Sequence, residues 1–249
     1  MKQVIARRGN VVVDEVPAPI VSANTVLVRV AYSCISAGTE MSTVASSGKS
    51  RSKKAMQYPR QIKKAFRSIK ISGLHTTIEK AQGRFTEGSQ LGYSAAGTVM
   101  EVGENIDDIK LGDRVACAGA GIANHAEYIN IPRNLLVKIP EGVEFDVAST
   151  VTLGAIAMQG ARRADVRLGE YVVVIGLGIL GQLIVQILKV SGIRTIGIDI
   201  DERRVKAALD LGLDFGFVAG EEDIVTKVIA VTNGYGADAV IVATATKSK

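Results

Sequence analysis

The chain opens with apolar and polar positions in alternation. "QVIARR", "NVVVDEVPAP" and "NTVLVRVAYS" carry β-branched residues at a period of two, punctuated by Gly, Asn and Pro. Residues 1–33 are therefore expected to form short strands. Between about 50 and 88 the period changes. Ile62, Ala65, Phe66 and Ile69 recur at helical spacing among cations, which predicts helices or a helical hairpin. Strand patterns return over 91–140 in "AAGTVMEVG", "GDRVACAG", "AEYINIP" and "LLVKIP", and the spacing of turn residues suits a small twisted barrel. Residues 144–164 predict one helix with small residues on one face, ending near Arg163.

The texture then shifts. "EYVVVIG" is a continuous apolar run, as expected of a strand buried on both faces of a parallel sheet. A helix (180–191), the strand "TIGIDI", a helix (202–211), the strand "FGFVA", a helix (222–232) and the strand "DAVIVATA" follow. Strands alternating with helices predict a doubly wound α/β sheet. The expected organisation is a β-rich domain over 1–150 with a basic helical insertion at about 48–90, then a dinucleotide-type domain over 151–249. Only about four of six strands of a complete dinucleotide fold are present, so the chain is expected to be a fragment of a longer protein with an unpaired sheet edge.

Hydrophobic residues make up 47% of the 249 and charged ones 22%, which excludes a disordered chain. The cysteines Cys34 and Cys117 form neither a disulfide framework nor a Cys-x-x-Cys zinc motif, and are expected to be buried as small hydrophobes. His75 and His125 are the two histidines, too few for a His-rich metal site. The first residues lack the apolar core of a signal peptide, and no apolar run reaches the roughly 18 residues of a membrane span. A cytoplasmic protein, with no membrane contact and forming homo-oligomers, is expected. The net charge of +5 is unevenly placed: residues 41–91 hold eleven Lys or Arg against two acids, so the remainder is net acidic.

"VVVIGLGILGQL" contains Gly176-x-Gly178-x-x-Gly181 between a buried strand and a helix. This is the context a dinucleotide fingerprint requires. Gly176 permits the tight turn, Gly178 lets backbone approach a pyrophosphate, and Gly181 lets helix and strand pack closely. The phosphates would sit at the helix N-terminus, with Ile179 and Leu180 in the cradle. Asp199 ends the second strand, where it can accept hydrogen bonds from both ribose hydroxyls and repel a 2′-phosphate. NAD is the expected cofactor. Arg203 and Arg204 weaken the preference over NADP without cancelling it, because Arg can accommodate a 2′-phosphate.

The order of a barrel-like half, "GDRV", a helix and a dinucleotide half resembles the medium-chain dehydrogenase/reductase superfamily, the zinc-type alcohol dehydrogenases and their relatives. The resemblance rests on "AGTE" (37–40), "LGYSAAGTVMEVG" (91–103), "GDRVA" (112–116), "AEYI" (126–129) and "VIGLGILG". It implies a GroES-like barrel domain followed by a Rossmann domain. "CISAGTE" and the basic insertion further resemble the first module of bi-domain oxidoreductases, in which a second oxidoreductase module follows. Zinc members place Cys, His and Cys where this chain has Ala37, Tyr93 and, by counting back from Gly176, a position near Thr152. The structural-zinc cysteines are also missing, and Cys34, three residues before Ala37, would face the opposite side of a strand. No metal is expected.

The resemblance leaves hydroxyls in place of the metal. Thr39 matches the Ser/Thr that relays a proton in the zinc enzymes, and Tyr93 matches the lost His. Glu40 matches the acid behind that His and would orient Tyr93. Tyr93 is thus a candidate acid, although a phenol donates readily only with help from a cation or cofactor. The alternative is that Tyr93 fills the vacated cavity and Thr39 bonds the backbone. Arg204 matches a family cation near the adenosine ribose. The insertion fits an anionic substrate such as a nucleotide-sugar or other phosphorylated metabolite, a solvated lid, or a docking face for an acidic module. Nucleic acid is not expected, since stacking aromatics are scarce there. Two functions stay open: a zinc-independent NAD(H)-dependent oxidoreductase acting on a carbonyl or activated double bond of a small molecule, and a non-catalytic dinucleotide-binding module that docks a partner oxidoreductase.

Overall fold

The computed structural model describes residues 1–48, 88–220 and 223–244. The helices expected between about 50 and 88, and with them the basic insertion, lie outside the described residues. Two compact units are formed, Met1–Thr152 and Leu153–Lys249.

In the first unit, β1 (Lys2–Arg7) pairs antiparallel with β2 (Asn10–Glu15) and with the short β4 (Ser89–Gln90). A five-stranded antiparallel sheet runs in the order β7-β3-β5-β6-β8, from β3 (Thr25–Ser33), β5 (Ser94–Val102), β6 (Arg114–Ala118), β7 (Tyr128–Pro132) and β8 (Leu136–Lys138). The sheet curls, helped by register shifts at Leu27/Val28 and Val30/Tyr32 in β3. Its alternating inward residues Val26, Val28, Ala95, Val99, Val115, Cys117, Ile129 and Ile131 form one apolar core.

Helix α1 (Ala37–Ser47) follows β3. The sequence pattern did not predict it. Most of its residues are Gly, Ser, Thr or Val, which are weak helix formers, and one buried side chain, Val44, anchors it against Ala6 and Leu91. Cys34 is consequently not on a strand with Ala37: β3 stops at Ser33 and Ala37 opens a helix, so the expected alternation does not apply. The single helix expected over 144–164 is two, α2 (Phe145–Ala148) and α3 (Val151–Arg163). The break lies where the Ser149 and Thr150 hydroxyls donate back to the Asp146 and Val147 carbonyls, and where the buried Ser94 hydroxyl captures the Ser149 carbonyl at 2.6 Å.

The second unit holds a parallel sheet, order β11-β10-β9-β12, from β9 (Tyr171–Ile175), β10 (Arg194–Asp199), β11 (Phe215–Val218) and β12 (Ala239–Val242). Both faces of β9 and β10 are covered, as continuous apolar strands require, whereas on β12 Val240 and Val242 are exposed among the described residues. Val172 and Val174 pack with α4 (Ile179–Val190) and α5 (Glu202–Asp210) through Ile184, Val185, Leu188, Val205 and Ala208. Val173, Ile196 and Ile198 pack on the other face with α6 (Ile224–Val231) through Ile224, Val228 and Val231. The elements match the sequence pattern to within two or three residues. This is a mixed α/β chain with a curled antiparallel sheet and a four-stranded Rossmann-like sheet. Among the described residues, no helix is long and apolar enough to cross a membrane.

Candidate functional site

The glycine turn of the second unit is built as the fingerprint requires. Gly176 has φ +94°, and a Cβ there would stand 2.4 Å from Thr244 Cγ2. A Cβ on Gly181 would stand 1.9 Å from the Gly176 carbonyl oxygen, so only hydrogen fits where α4 crosses the turn. Gly178 caps α4, and a Cβ there would meet nothing within 4 Å. The missing side chain at Gly178 therefore opens space in front of the α4 N-terminus, where Ile179 and Leu180 present first-turn amides and the helix dipole favours an anion.

Asp199 ends β10 with its side chain 4% exposed. Its Oδ2 accepts the Leu177 N–H at 2.7 Å and its Oδ1 the Asp201 N–H at 2.9 Å. Arg204 Nη1 lies 3.6 Å from Oδ2. The carboxylate thus clamps the glycine turn to the β10–α5 loop, and each oxygen keeps a lone pair for a further donor. Asp201 caps α5 and pairs with Arg203, whose hydrogen bonds hold the Asp201 carboxyl below the usual range. An open cavity of about 560 Å³ is lined by Leu177, Gly178, Ile179, Gln182, Arg203 and Arg204 among others. The Gln182 amide donates to the Leu177 and Arg204 carbonyls, while its buried Oε1 has no partner among the described residues. An anion cradle, an acidic group at the strand end and adjacent cations fit a dinucleotide. Gln182 and Asp201 were not singled out from the sequence, because neither belongs to the glycine spacing.

The first unit places its candidate residues around the ends of β3 and β5. Tyr93 lies just before β5, half-buried. Its carbonyl accepts the Gly119 N–H at 2.9 Å and the Thr152 hydroxyl at 3.2 Å, so Tyr93 and Thr152 are brought together. Among the described residues the Tyr93 hydroxyl makes no hydrogen bond. Thr39 is exposed and accepts the Ser36 hydroxyl at 3.2 Å. Glu40 does not bond Tyr93. Its Oε1 accepts the Ser36 N–H at 2.8 Å, stitching the start of α1, and lies 3.1 Å from His125 Nε2. His125 Nδ1 in turn lies 2.8 Å from Ser33 Oγ. Sequence spacing could not reveal this contact, because 85 residues separate His125 from Glu40 and 92 separate it from Ser33. Burial, and then the Glu40 charge, pushes the Cys34 thiol up, and burial pushes Cys117 to about 12.

Zinc prefers thiolate and imidazole donors in tetrahedral array. Tyr93 and Thr152 supply neither. Among the described residues, no group of three or more His, Cys, Asp or Glu is placed to hold a metal ion.

Comparisons with known proteins agree with both halves of this picture. Residues 22–141 match the family model described as alcohol dehydrogenase GroES-like domain, and residues 180–249 the one described as zinc-binding dehydrogenase. D-guloside 3-dehydrogenase of Escherichia coli K12 is 34% identical over 154 residues, which is 61% of this chain and 43% of the relative; the Shigella flexneri protein of the same name matches equally. The chain spans less than half the length of these curated relatives. Among solved structures, an alcohol dehydrogenase from Thermus sp. superposes with a TM-score of 0.72 at 22% identity, covering 99% of this chain and 71% of that one. The Escherichia coli quinone oxidoreductase complexed with NADPH gives 0.71 at 18% identity, covering 94% and 63%. At such identities the superpositions speak for the fold, and the two family models speak for descent. A GroES-like unit followed by a glycine-fingerprint unit, each matched in its own right, means that the chain belongs to the medium-chain dehydrogenase/reductase superfamily.

Proposed function

We propose that this chain is part of a zinc-independent, NAD(H)-dependent oxidoreductase that interconverts a secondary alcohol and a carbonyl on a sugar-type small molecule. The observation that carries the reading is the open space at Gly178 in front of α4, with Asp199 fixed at the end of β10. When bound, a nicotinamide dinucleotide supplies the hydride acceptor. Gly176, Gly178, Ile179, Leu180 and Gly181 would seat its pyrophosphate. Asp199 would accept from the adenosine ribose, with Arg204 beside it, which favours NAD over NADP. Tyr93, whose hydroxyl is unbonded among the described residues, is the candidate substrate-side acid, with Thr39 beside Ser36 as a second hydroxyl. No step is routed through a metal, because Tyr93 and Thr152 offer no thiolate or imidazole. The sugar class rests on the relatives named D-guloside 3-dehydrogenase, and the basic segment between Met41 and Leu91 favours an anionic form of such a substrate.

Calorimetric titration with NADH and NADPH tests the reading, followed by turnover assays with D-gulosides. Saturable binding with NADH tighter, plus dinucleotide reduction, supports it. Tyr93→Phe and Thr39→Val should then lower kcat by about a hundredfold or more if each moves a proton, at unchanged NADH affinity. Absence of saturable binding to either dinucleotide overturns it.

A further inference from the structure

Ser33, His125 and Glu40 form an unbroken hydrogen-bond chain within the first unit, contributed by three elements: the end of β3, the loop between β6 and β7, and the start of α1. The His125 and Glu40 side chains are 9% and 13% exposed, whereas Ser33 is only partly covered. The imidazole is held by its backbone on both sides. The His125 N–H donates to the Leu91 carbonyl at 2.9 Å, and its carbonyl accepts the Val4 N–H at 2.8 Å. A Cβ on Gly92 would stand 2.7 Å from the His125 nitrogen, so the adjoining loop presses directly on this backbone.

The chain has a direction. An ionised carboxylate only accepts, so the hydrogen between His125 and Glu40 belongs to Nε2. In the neutral ring Nδ1 is then an acceptor, and Ser33 must donate to it. Among the described residues nothing donates to Ser33 Oγ, so its lone pairs are left for another donor. Ser33 pairs with Ala95, and the Cys34 N–H donates to the Ser94 carbonyl at 2.9 Å, so Ser33 ends at the same edge of the sheet as Tyr93. Of the Ser33, Thr39 and Tyr93 hydroxyls, Thr39 is engaged by Ser36 and Tyr93 has no bonded acceptor among the described residues. Of these three, among the described residues, Ser33 alone is bonded to an imidazole, the side-chain base nearest neutrality.

We propose that Ser33–His125–Glu40 is a proton relay that serves alcohol oxidation, an inference that rests on the oxidoreductase reading above. As the substrate O–H bond breaks, a new O–H bond forms on Ser33 Oγ. The original Ser33 O–H breaks, and an N–H bond forms at His125 Nδ1. The substrate carbon would lose two electrons as hydride, and the dinucleotide that Gly176, Gly178, Gly181 and Asp199 would hold would supply the acceptor. Glu40 stabilises the imidazolium, which later returns its proton to water. In the relay Ser33 touches the substrate and takes the proton in place of Tyr93, whose hydroxyl then only orients the substrate oxygen. His125 acts through Ser33, and Glu40 fixes the tautomer and balances charge, so both are positioning residues.

Two measurements test the relay on the full chain. The first is the ¹⁵N imidazole spectrum of His125 without substrate. The Nε2–H tautomer is expected, and it should lose its preference in Glu40→Gln. A dominant Nδ1–H tautomer overturns the relay, since Ser33 would then be an acceptor. The second is steady-state turnover of Ser33→Ala, His125→Ala and His125→Gln, with unfolding midpoints and NADH affinity measured alongside. The expected result is a kcat loss of about a hundredfold or more with KM within a few-fold, and recovery of His125→Ala by added imidazole. Folded variants with wild-type kcat overturn the relay. If the unmutated protein binds NADH and turns over no alcohol, the functional reading fails on its own terms, and the tautomer spectrum still decides the chain's direction.

Discussion

The Asp199 carboxylate accepts the backbone N–H of Leu177 at 2.7 Å, joining the end of β10 to the glycine turn 22 residues earlier. With the Asp201 N–H on its other oxygen, this side chain is a structural clamp as well as a candidate ribose acceptor. Asp199→Asn leaves one acceptor oxygen for two amides, so one N–H must face an NH₂ group. The expected cost is about 1.5–3 kcal/mol in denaturant unfolding, the range of hydrogen bonds to charged groups. Removing the charge beside Arg204 should also shift relative affinity from NADH towards NADPH. An unchanged affinity ratio in titrations of the folded variant would remove Asp199 from cofactor choice.

Gly178 and Gly181 separate binding from folding. At Gly178 the backbone suits any L-residue (φ −67°) and the space is open, so Gly178→Ala should cost about 1 kcal/mol or less as a weaker helix cap. Its new methyl group would occupy the approach to the α4 amides, and NADH affinity should fall tenfold or more, about 1.4 kcal/mol. Gly181→Ala instead drives a Cβ to 1.9 Å from the Gly176 oxygen, and helix or turn must move. A destabilisation of about 1–3 kcal/mol or more is expected in thermal unfolding. Full NADH affinity in Gly178→Ala would place the cofactor elsewhere.

The second unit was legible because its signals are local. A buried strand reads as "VVVI", helices follow at regular intervals, and glycine spacing needs no distant partner. The first unit was legible in its strands and less so in its site. Helix α1 escaped because Thr, Ser and Gly are weak helix formers and its support comes from Ala6 and Leu91, far along the chain. The helix break at Ser149 escaped for the same reason, since it depends on the Ser94 hydroxyl 55 residues away. As one of two histidines His125 carries no spacing signal, and family position pairs Glu40 with Tyr93 and not with His125. Side-chain partners in a curled sheet are fixed by register between strands, which residue types alone do not encode.

The two thiols should differ in reactivity. Cys117 is fully buried in the core of the five-stranded sheet, its thiol pushed to about 12, and should label with maleimide only on unfolding. Cys34 is partly exposed, with its thiol raised by burial and then by the Glu40 carboxylate, so it should label slowly at neutral pH and faster in alkali. Glu40→Gln removes the negative charge, lowers the Cys34 pKa and should accelerate its labelling. Labelling followed by mass spectrometry reads all three outcomes, and a Cys34 rate indifferent to Glu40→Gln would contradict the proximity of the two groups.

Asp214 gives the second unit an acid-sensitive tie. Burial alone would raise its carboxyl, but hydrogen bonds from Lys189 and from the Thr195 N–H and hydroxyl outweigh this and hold it below the usual range. These contacts join the turn before β11 to α4 and to the buried Thr195 of β10. A carboxyl depressed in the folded state binds its proton less readily there than in the unfolded chain. Its contribution is therefore complete above the unfolded value near 3.9 and is lost as pH falls through the lower folded value. Asp214→Asn should destabilise the protein by on the order of 1–2 kcal/mol at pH 7, because a neutral amide replaces a charge-assisted acceptor. As pH is lowered towards 2, wild type should lose this advantage and the two denaturant midpoints should converge. A gap that stays constant across the acid range would mean that Asp214 acts through shape alone, and that its ionisation is not linked to folding.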